Sequence, residues 1–349
     1  FKFTNGVSEM LKNAKWIKSP VNEEEKCYVF YRDFKAEKEI KKATLTVTAM
    51  GLYMVFVNGT RVEKGILNPG WTSYDRAVQC QTVDVTELIK TENTLSVSTA
   101  EGWAIGYIRA GNPFRNHYAE NIAVMYSLDI EYIDGTYENI VSDTTTKVKT
   151  SHIITSSIYH GEMVDKTAKI TELGNALIDN TVITTPVKME GEYITEHERV
   201  SAAQLIITPN GEKVIDFGQN MAGYVEVKVN ANRGDRIVLS HAEILDGDGN
   251  FYTDNLRTAR QQNTYVVSGE GEEIFKPSFT WQGFRYIRLD EYPFEDVDIN
   301  NFTAVVVHSD MKRTGRFNCG NAKINQLYHN ILWGQKSNFI DVPTDCPQR

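Results

Sequence analysis

The residues that could do chemistry fall into a few short groups. The segment LDGDGNFYTDN places Asp246, Asp248 and Asn250 at alternate positions, with Gly247 and Gly249 allowing tight curvature, as in the first half of a calcium loop. An EF-type loop needs a bidentate glutamate at its twelfth position, and Arg257 stands there. A Gly-rich hairpin turn is therefore expected, with calcium binding as the alternative. His241-Ala242-Glu243 and His160-Gly161-Glu162 bring an imidazole and a carboxylate together, but neither has a HExxH helix or a third ligand. Both are expected to be strand or loop residues. The four cysteines, Cys27, Cys80, Cys319 and Cys346, form no CxxC or Cys/His cluster and read as free thiols, with no metal site. Trp71, Tyr74, Trp103 and Tyr107 sit in or near apparent loops. Aromatic faces there could pack on the C–H face of a sugar, which makes Trp71 and Trp103 candidate substrate-binding residues. Their other reading is burial in a core or between domains, since large aromatics mainly supply apolar area. No GxGxxG, Walker or GxSxG pattern occurs, so no nucleotide or serine-hydrolase chemistry is indicated.

The elements that would position these residues are mostly strands. A length of 349 residues suits two or three domains, and 41% hydrophobic with 24% charged residues suits a globular chain. The formal net charge of −9 argues against nucleic acid, whose phosphates demand a concentrated basic face. No stretch approaches the roughly 20 apolar residues of a membrane span. The start, FKFTNGVSEMLKNAKW, lacks the apolar core of a signal peptide. The compartment is left open, with the cytoplasm favoured over secretion.

Alternating segments at Ala43 to Met50, Leu52 to Val62, Asn93 to Ala100 and Asn121 to Val141, with Asn58-Gly59 and Asp134-Gly135 turns, predict a first β-sandwich or jelly roll over residues 1–185. Tyr224 to Val229, Arg236 to His241 and the run through FTWQGFRYIRLD predict a second sandwich over 186–308. The remainder, 309–349, changes period. Ile324, Leu327, Tyr328, Ile331 and Leu332 form the i, i+3, i+4, i+7, i+8 stripe of an amphipathic helix, begun at Gly320 and Asn321 and barred from continuing far by Pro343. The fold expected is mostly β: two or more antiparallel sandwiches followed by one helix that would begin a further helical domain. If that helix lacks its own partners, Ile324, Leu327 and Ile331 should be exposed. A self-contained module should bury them.

Four separated motifs carry a family resemblance. The run GRFNCGNAKINQLYHNILWGQKSNFIDVPTDCPQR resembles the start of the catalytic α/α barrel of glycoside hydrolase family seventy-eight, the bacterial α-L-rhamnosidases. VNGTRVEKGILNPGWTSYDR and SSIYHGEMVD resemble that family's first sandwich, which is galactose-binding-like. VIDFGQNMAGYVEVKV with FTWQGFRYIRL resembles its concanavalin-like domain. The resemblance implies inverting hydrolysis of terminal α-L-rhamnose, with a rhamnose-containing glycoside as partner. It also implies that the general acid and base lie beyond this chain, so that no catalytic residue is expected within it and the fragment should be inactive. Asp345 and Arg349 match family positions near the active site, where the aspartate is similar to one that holds rhamnose hydroxyls. A stand-alone carbohydrate-binding module is the alternative, and it leaves the helix unexplained. An exposed apolar helix would favour association between copies, artefactual or homo-oligomeric.

Overall fold

The computed structural model describes residues 9–108 and 115–346, which form two compact units. The first comprises 9–108, 115–157 and 169–191; the second comprises 158–168 and 192–346. The SSIYHGEMVD segment thus divides, with residues 158–168 belonging to the second unit.

In the first unit, strands β1 (Lys26–Lys35), β2 (Ile40–Met50), β3 (Leu52–Val57), β4 (Ala77–Asp84), β5 (Glu92–Ala100), β6 (Ala123–Tyr132) and β7 (Lys147–Ser157) make two sheets. One has β6, β2 and β4 at its centre, paired antiparallel, with the short strand Thr185–Lys188 added parallel to β4. The other runs β7, β1, β5, β3. Their inward residues share one hydrophobic cluster that includes Leu45, Val47, Val124 and Leu128 from the first sheet and Phe30, Val55, Val97 and Val148 from the second. Period-2 alternation is what permits this, because every second side chain of each strand faces the opposing sheet. Both expected turns form at positive φ: Asn58 at 51° with Gly59 at 80°, and Gly135 at 81°.

The second unit contains β8 (Gly161–Asp165), β9 (Ile194–Ser201), β10 (Lys213–Val229), β11 (Arg236–Ala242), β12 (Gln262–Val266), β13 (Gln282–Glu291) and β14 (Phe302–Ser309). Hydrogen bonding joins them in the order β9, β14, β10, β13, β11, β12, β8. The last pairing, β8 with β12, is parallel. β10 is 17 residues long, and its register against β13 shifts between Asp216 and Met221, a bulge that bends the strand. Just past the bulge Gly223 meets β14 so closely that a Cβ there would lie 1.9 Å from the Val305 carbonyl oxygen.

The β-rich units are followed by a 16-residue α-helix, α1 (Ala322–Ser337). The Asn321 side chain caps it by accepting from the Lys323 and Ile324 N–H groups, satisfying donors that have no partner within the helix. No residue of α1 is buried. Tyr328, Leu332 and Trp333 are half-buried and α1 rests on β10 and β14. Ile324, Leu327 and Ile331 are 45%, 57% and 55% exposed. This is the outcome expected of a helix whose apolar face lacks partners of its own. No helix of the described residues is long and apolar enough to cross a membrane.

Candidate functional site

The second unit holds a cleft of about 800 Å³ between α1, the segment Asp310–Gly315 and the β9–β14 pair. Its charged lining includes Glu198, Asp310, Arg313 and Lys336, with Tyr328 and Trp333 as aromatic walls. Glu198 is bonded to the Lys336 ammonium, which lies 4.6 Å from the centre of the Trp333 ring. Burial is the largest influence and works to raise the Glu198 carboxyl, but the bond from Lys336, the Glu198 backbone N–H and the nearby positive charge together leave it below the ordinary carboxylate range. A general acid for sugar chemistry must instead be held protonated. Among the carboxyls with a resolved displacement only Asp129 moves up, through burial, and it sits on β6 against Asn139, outside the cleft.

After α1 the chain forms a two-residue strand pair, Phe339–Ile340 with Val342–Pro343, turned at Asp341. Ile340 is buried, and the Asp341 N–H donates to Ser309 Oγ at 2.8 Å. Asp345 follows, exposed, with Cys346 Sγ 3.5 Å from its Oδ2. Arg349 lies outside the described residues.

Trp71 and Trp103 belong to the first unit and stack on each other, with ring centroids 6.3 Å apart and planes 15° apart. Trp103 is buried and Trp71 half-buried, so one face of Trp71 is turned to Trp103. Tyr74 is fully buried, with its hydroxyl bonded to the Gly70 carbonyl and its ring edge-on to Tyr118. Tyr107 is half-buried, donates to Glu24 at 3.2 Å and lies under the Arg115 guanidinium. Trp103 and Tyr74 are packing residues in this geometry. Of these four aromatics, Trp71 and Tyr107 are the two that are half-buried rather than buried.

The LDGDGN segment is a hairpin turn. Asp246 Oδ1 accepts from the Asp248 and Asn250 N–H groups, and the Asp246 N–H donates to the Asn250 carbonyl. Asn250 Oδ1 in turn accepts from the Asn210 N–H. These oxygens are thus committed to the turn and its neighbour. Among the described residues no three His, Cys, Asp or Glu side chains come together as a metal set. None of the four cysteines is in a disulfide, and burial pushes the Cys80 thiol up to about 12.

His241 is wholly buried on β11, edge-on to Phe284. Its Nδ1 lies 2.8 Å from the Gln261 carbonyl oxygen and so carries the proton, while Nε2 is buried without a hydrogen-bond partner. Burial pushes this imidazole down to about 4. The folded form therefore prefers the neutral ring, and its stability contribution is complete above the unfolded value of about 6.5 and lost as pH falls below it. Urea unfolding should show stability falling by about 1.4 kcal/mol per pH unit from 6.5 toward 4 on account of this residue. His241→Leu should flatten that dependence; an unchanged slope would place the proton uptake elsewhere.

Three features escaped the sequence reading: the Lys336–Glu198 pair, a stack of His197 on His308, and a buried Glu101–Arg115 pair. None has a local signal, because the partners are 138, 111 and 14 residues apart.

Comparison with known proteins places these observations in a family. In chain order, residues 38–204 match the α-L-rhamnosidase N-terminal domain, 206–308 the bacterial α-L-rhamnosidase concanavalin-like domain and 312–349 the six-hairpin glycosidase domain. The chain belongs to the bacterial α-L-rhamnosidase family. A relative from Streptomyces avermitilis, an α-L-rhamnosidase, is 36% identical over 324 residues, covering 89% of this chain and 31% of the relative. An α-L-rhamnosidase of Formosa agariphila is 32% identical over 359 aligned positions, covering 96% of this chain and 39% of the relative. Among solved structures, the Aspergillus terreus α-L-rhamnosidase superposes with a TM-score of 0.88 at 33% identity, covering 97% of this chain and 41% of that one. The S. avermitilis enzyme complexed with L-rhamnose gives 0.85 at 32% identity, covering 93% and 32%. The chain thus corresponds to the N-terminal part of α-L-rhamnosidases and spans 31–39% of the length of these curated relatives.

Proposed function

We propose that this chain forms the accessory β-domains of an inverting α-L-rhamnosidase that releases terminal α-L-rhamnose from glycosides or polysaccharides, and that by itself it is inactive. The observation that carries this reading is the exposed stripe Ile324, Leu327 and Ile331 on a helix that falls within the match to the six-hairpin glycosidase domain. An apolar face of that kind is stable when further helices cover it. In the complete enzyme the β-domains would hold α1 and the Asp345 segment in place, with Asp345 on rhamnose hydroxyls and Arg349 a further substrate-binding residue near the active site. Inversion would use two carboxyl groups far enough apart to admit water, one as acid and one as base. The Glu198 carboxyl lies below its ordinary range and so is not itself an acid held protonated, which supports inactivity of this chain. The exposed stripe also favours association between copies.

The test is release of p-nitrophenol from p-nitrophenyl α-L-rhamnoside. The 349-residue chain should give no turnover above buffer, and a longer protein that includes the rest of the six-hairpin domain should give β-L-rhamnose as first product by NMR. Turnover by the 349-residue chain would overturn the assignment, and α-L-rhamnose as first product would overturn inversion.

A further inference from the structure

β9 pairs with β14 so that Thr195 lies opposite His308, and the register shifts between Glu196 and Arg199. His197 and Glu198 therefore stand in a bulge. The His197 ring stacks on His308 with centroids 3.5 Å apart and planes 8° apart. Both rings have defined protons. His308 Nδ1 is 2.7 Å from the Ser309 carbonyl oxygen and His197 Nε2 is 3.1 Å from the His308 carbonyl oxygen, so each of these nitrogens donates. What remains on His308 is a lone pair at Nε2, buried without a partner in a side chain that is almost wholly buried.

The helix is fastened at this point. Glu198, in the same bulge as His197, holds Lys336 in the last turn of α1, and Ser309, next to His308, receives the Asp341 N–H beyond the helix. The charged and titratable groups around the pair are Glu198 from β9, Asp310, Lys312 and Arg313 from the segment after β14, and Tyr328, His329 and Lys336 from α1. On the other edge of β14, β10 contributes Tyr224 and Glu226, which are bonded to Glu196 and Arg199.

We propose that the His197–His308 stack is a pH-sensitive latch that holds α1 and the strand pair after it on the second unit at neutral pH and releases them on acidification. A proton added to His308 would sit on Nε2, where no acceptor exists, and would put a cation 3.5 Å from a second imidazole. Relief requires the rings to part, which opens the bulge and carries Glu198 away from Lys336. Since α1 leads into Asp345, the latch also sets where that carboxylate sits.

Burial is the main force pushing His308 below the ordinary histidine value; the Ser309 carbonyl and the Glu198 charge oppose it, and His197 and Lys336 add to it. The docked state therefore favours the neutral ring, so docking is strongest above about 6.5 and weakens as pH falls through that value. Glu198 lies below its ordinary range and stays charged across this window.

Amide hydrogen exchange of the 349-residue chain between pH 7.5 and 5 tests the latch, with rates corrected to protection factors. Protection of residues 322–343 should fall by up to about tenfold per pH unit below 6.5, the limit for one coupled proton, while β6 in the first unit keeps its own. His308→Gln, which retains an N–H for the Ser309 carbonyl but cannot charge, should abolish the dependence. His197→Phe, which retains a stacked ring, should make it shallower. Glu198→Gln should lower helix protection at every pH with the wild-type slope. A flat wild-type profile, or the wild-type slope in both His308→Gln and His197→Phe, would overturn the proposal.

Discussion

Arg115→Met should destabilise the first unit by about 3 kcal/mol, because it strands a carboxylate in the interior. The Glu101 side chain is 3% exposed and receives both guanidinium arms, one of them at 2.6 Å, together with the Glu25 N–H at 2.7 Å. Arg115 is itself only 15% exposed, held above the Tyr107 ring and beside Glu24. A bidentate pair this dry is compensated only while both partners stay. Removing the cation leaves a desolvated negative charge, whereas removing both charges does not. The double variant Glu101→Gln/Arg115→Met should therefore be more stable than Arg115→Met alone, and Arg115→Lys should fall between wild type and Arg115→Met because a single ammonium cannot reproduce the fork. Urea unfolding of the three variants decides the point. Equal losses in the single Met and double variants would mean that Arg115 acts through packing on Tyr107 rather than through charge.

The second large effect is expected at Gly161. Its φ is +109°, in a region L-residues rarely adopt, and a Cβ there would lie 2.0 Å from the Gln262 carbonyl oxygen. The obstacle is backbone and cannot swing aside. Gln262 is fixed by pairing with Ser240 on β11, and its N–H already donates to the His160 carbonyl. Gly161→Ala should thus break the start of β8 away from β12 and destabilise the second unit by about 3 kcal/mol. Gly135→Ala is the matched comparison. It shares a positive φ, +81°, but has open space where the methyl would go, so it should lose only about 1 kcal/mol. Thermal unfolding of both variants separates clash from backbone strain. Similar losses at the two sites would show that β8 can shift to admit the methyl.

These two residues mark where sequence reasoning stops. His160-Gly161-Glu162 reads as strand or loop, and β8 is a strand, but nothing in the local pattern says that its partner is β12, some hundred residues away. Gly161 is required by that partner, not by its neighbours in sequence. Likewise Arg115 reads as one of many charged residues until Glu101 is found beneath it. The loop aromatics show the same limit: Trp71 and Trp103 lie 32 residues apart, and neither position reveals that one ring faces the other.

What the sequence by itself determined was local and periodic. The alternation from Ala43 to Val62 and from Asn121 to Val141, the Asn58-Gly59 and Asp134-Gly135 turns, the Asn321 cap and the stripe from Ile324 to Leu332 each follow from how adjacent residues divide between apolar and polar faces. The motifs that carry the α-L-rhamnosidase resemblance are local strings of the same kind. Only the tertiary structure decided which carboxylate lost its water, which two histidines stacked and which side of α1 stayed bare. Those outcomes depend on desolvation, and desolvation is set by segments that meet across the fold: an imidazole or carboxylate has its ordinary chemistry until a distant strand or helix takes its water away.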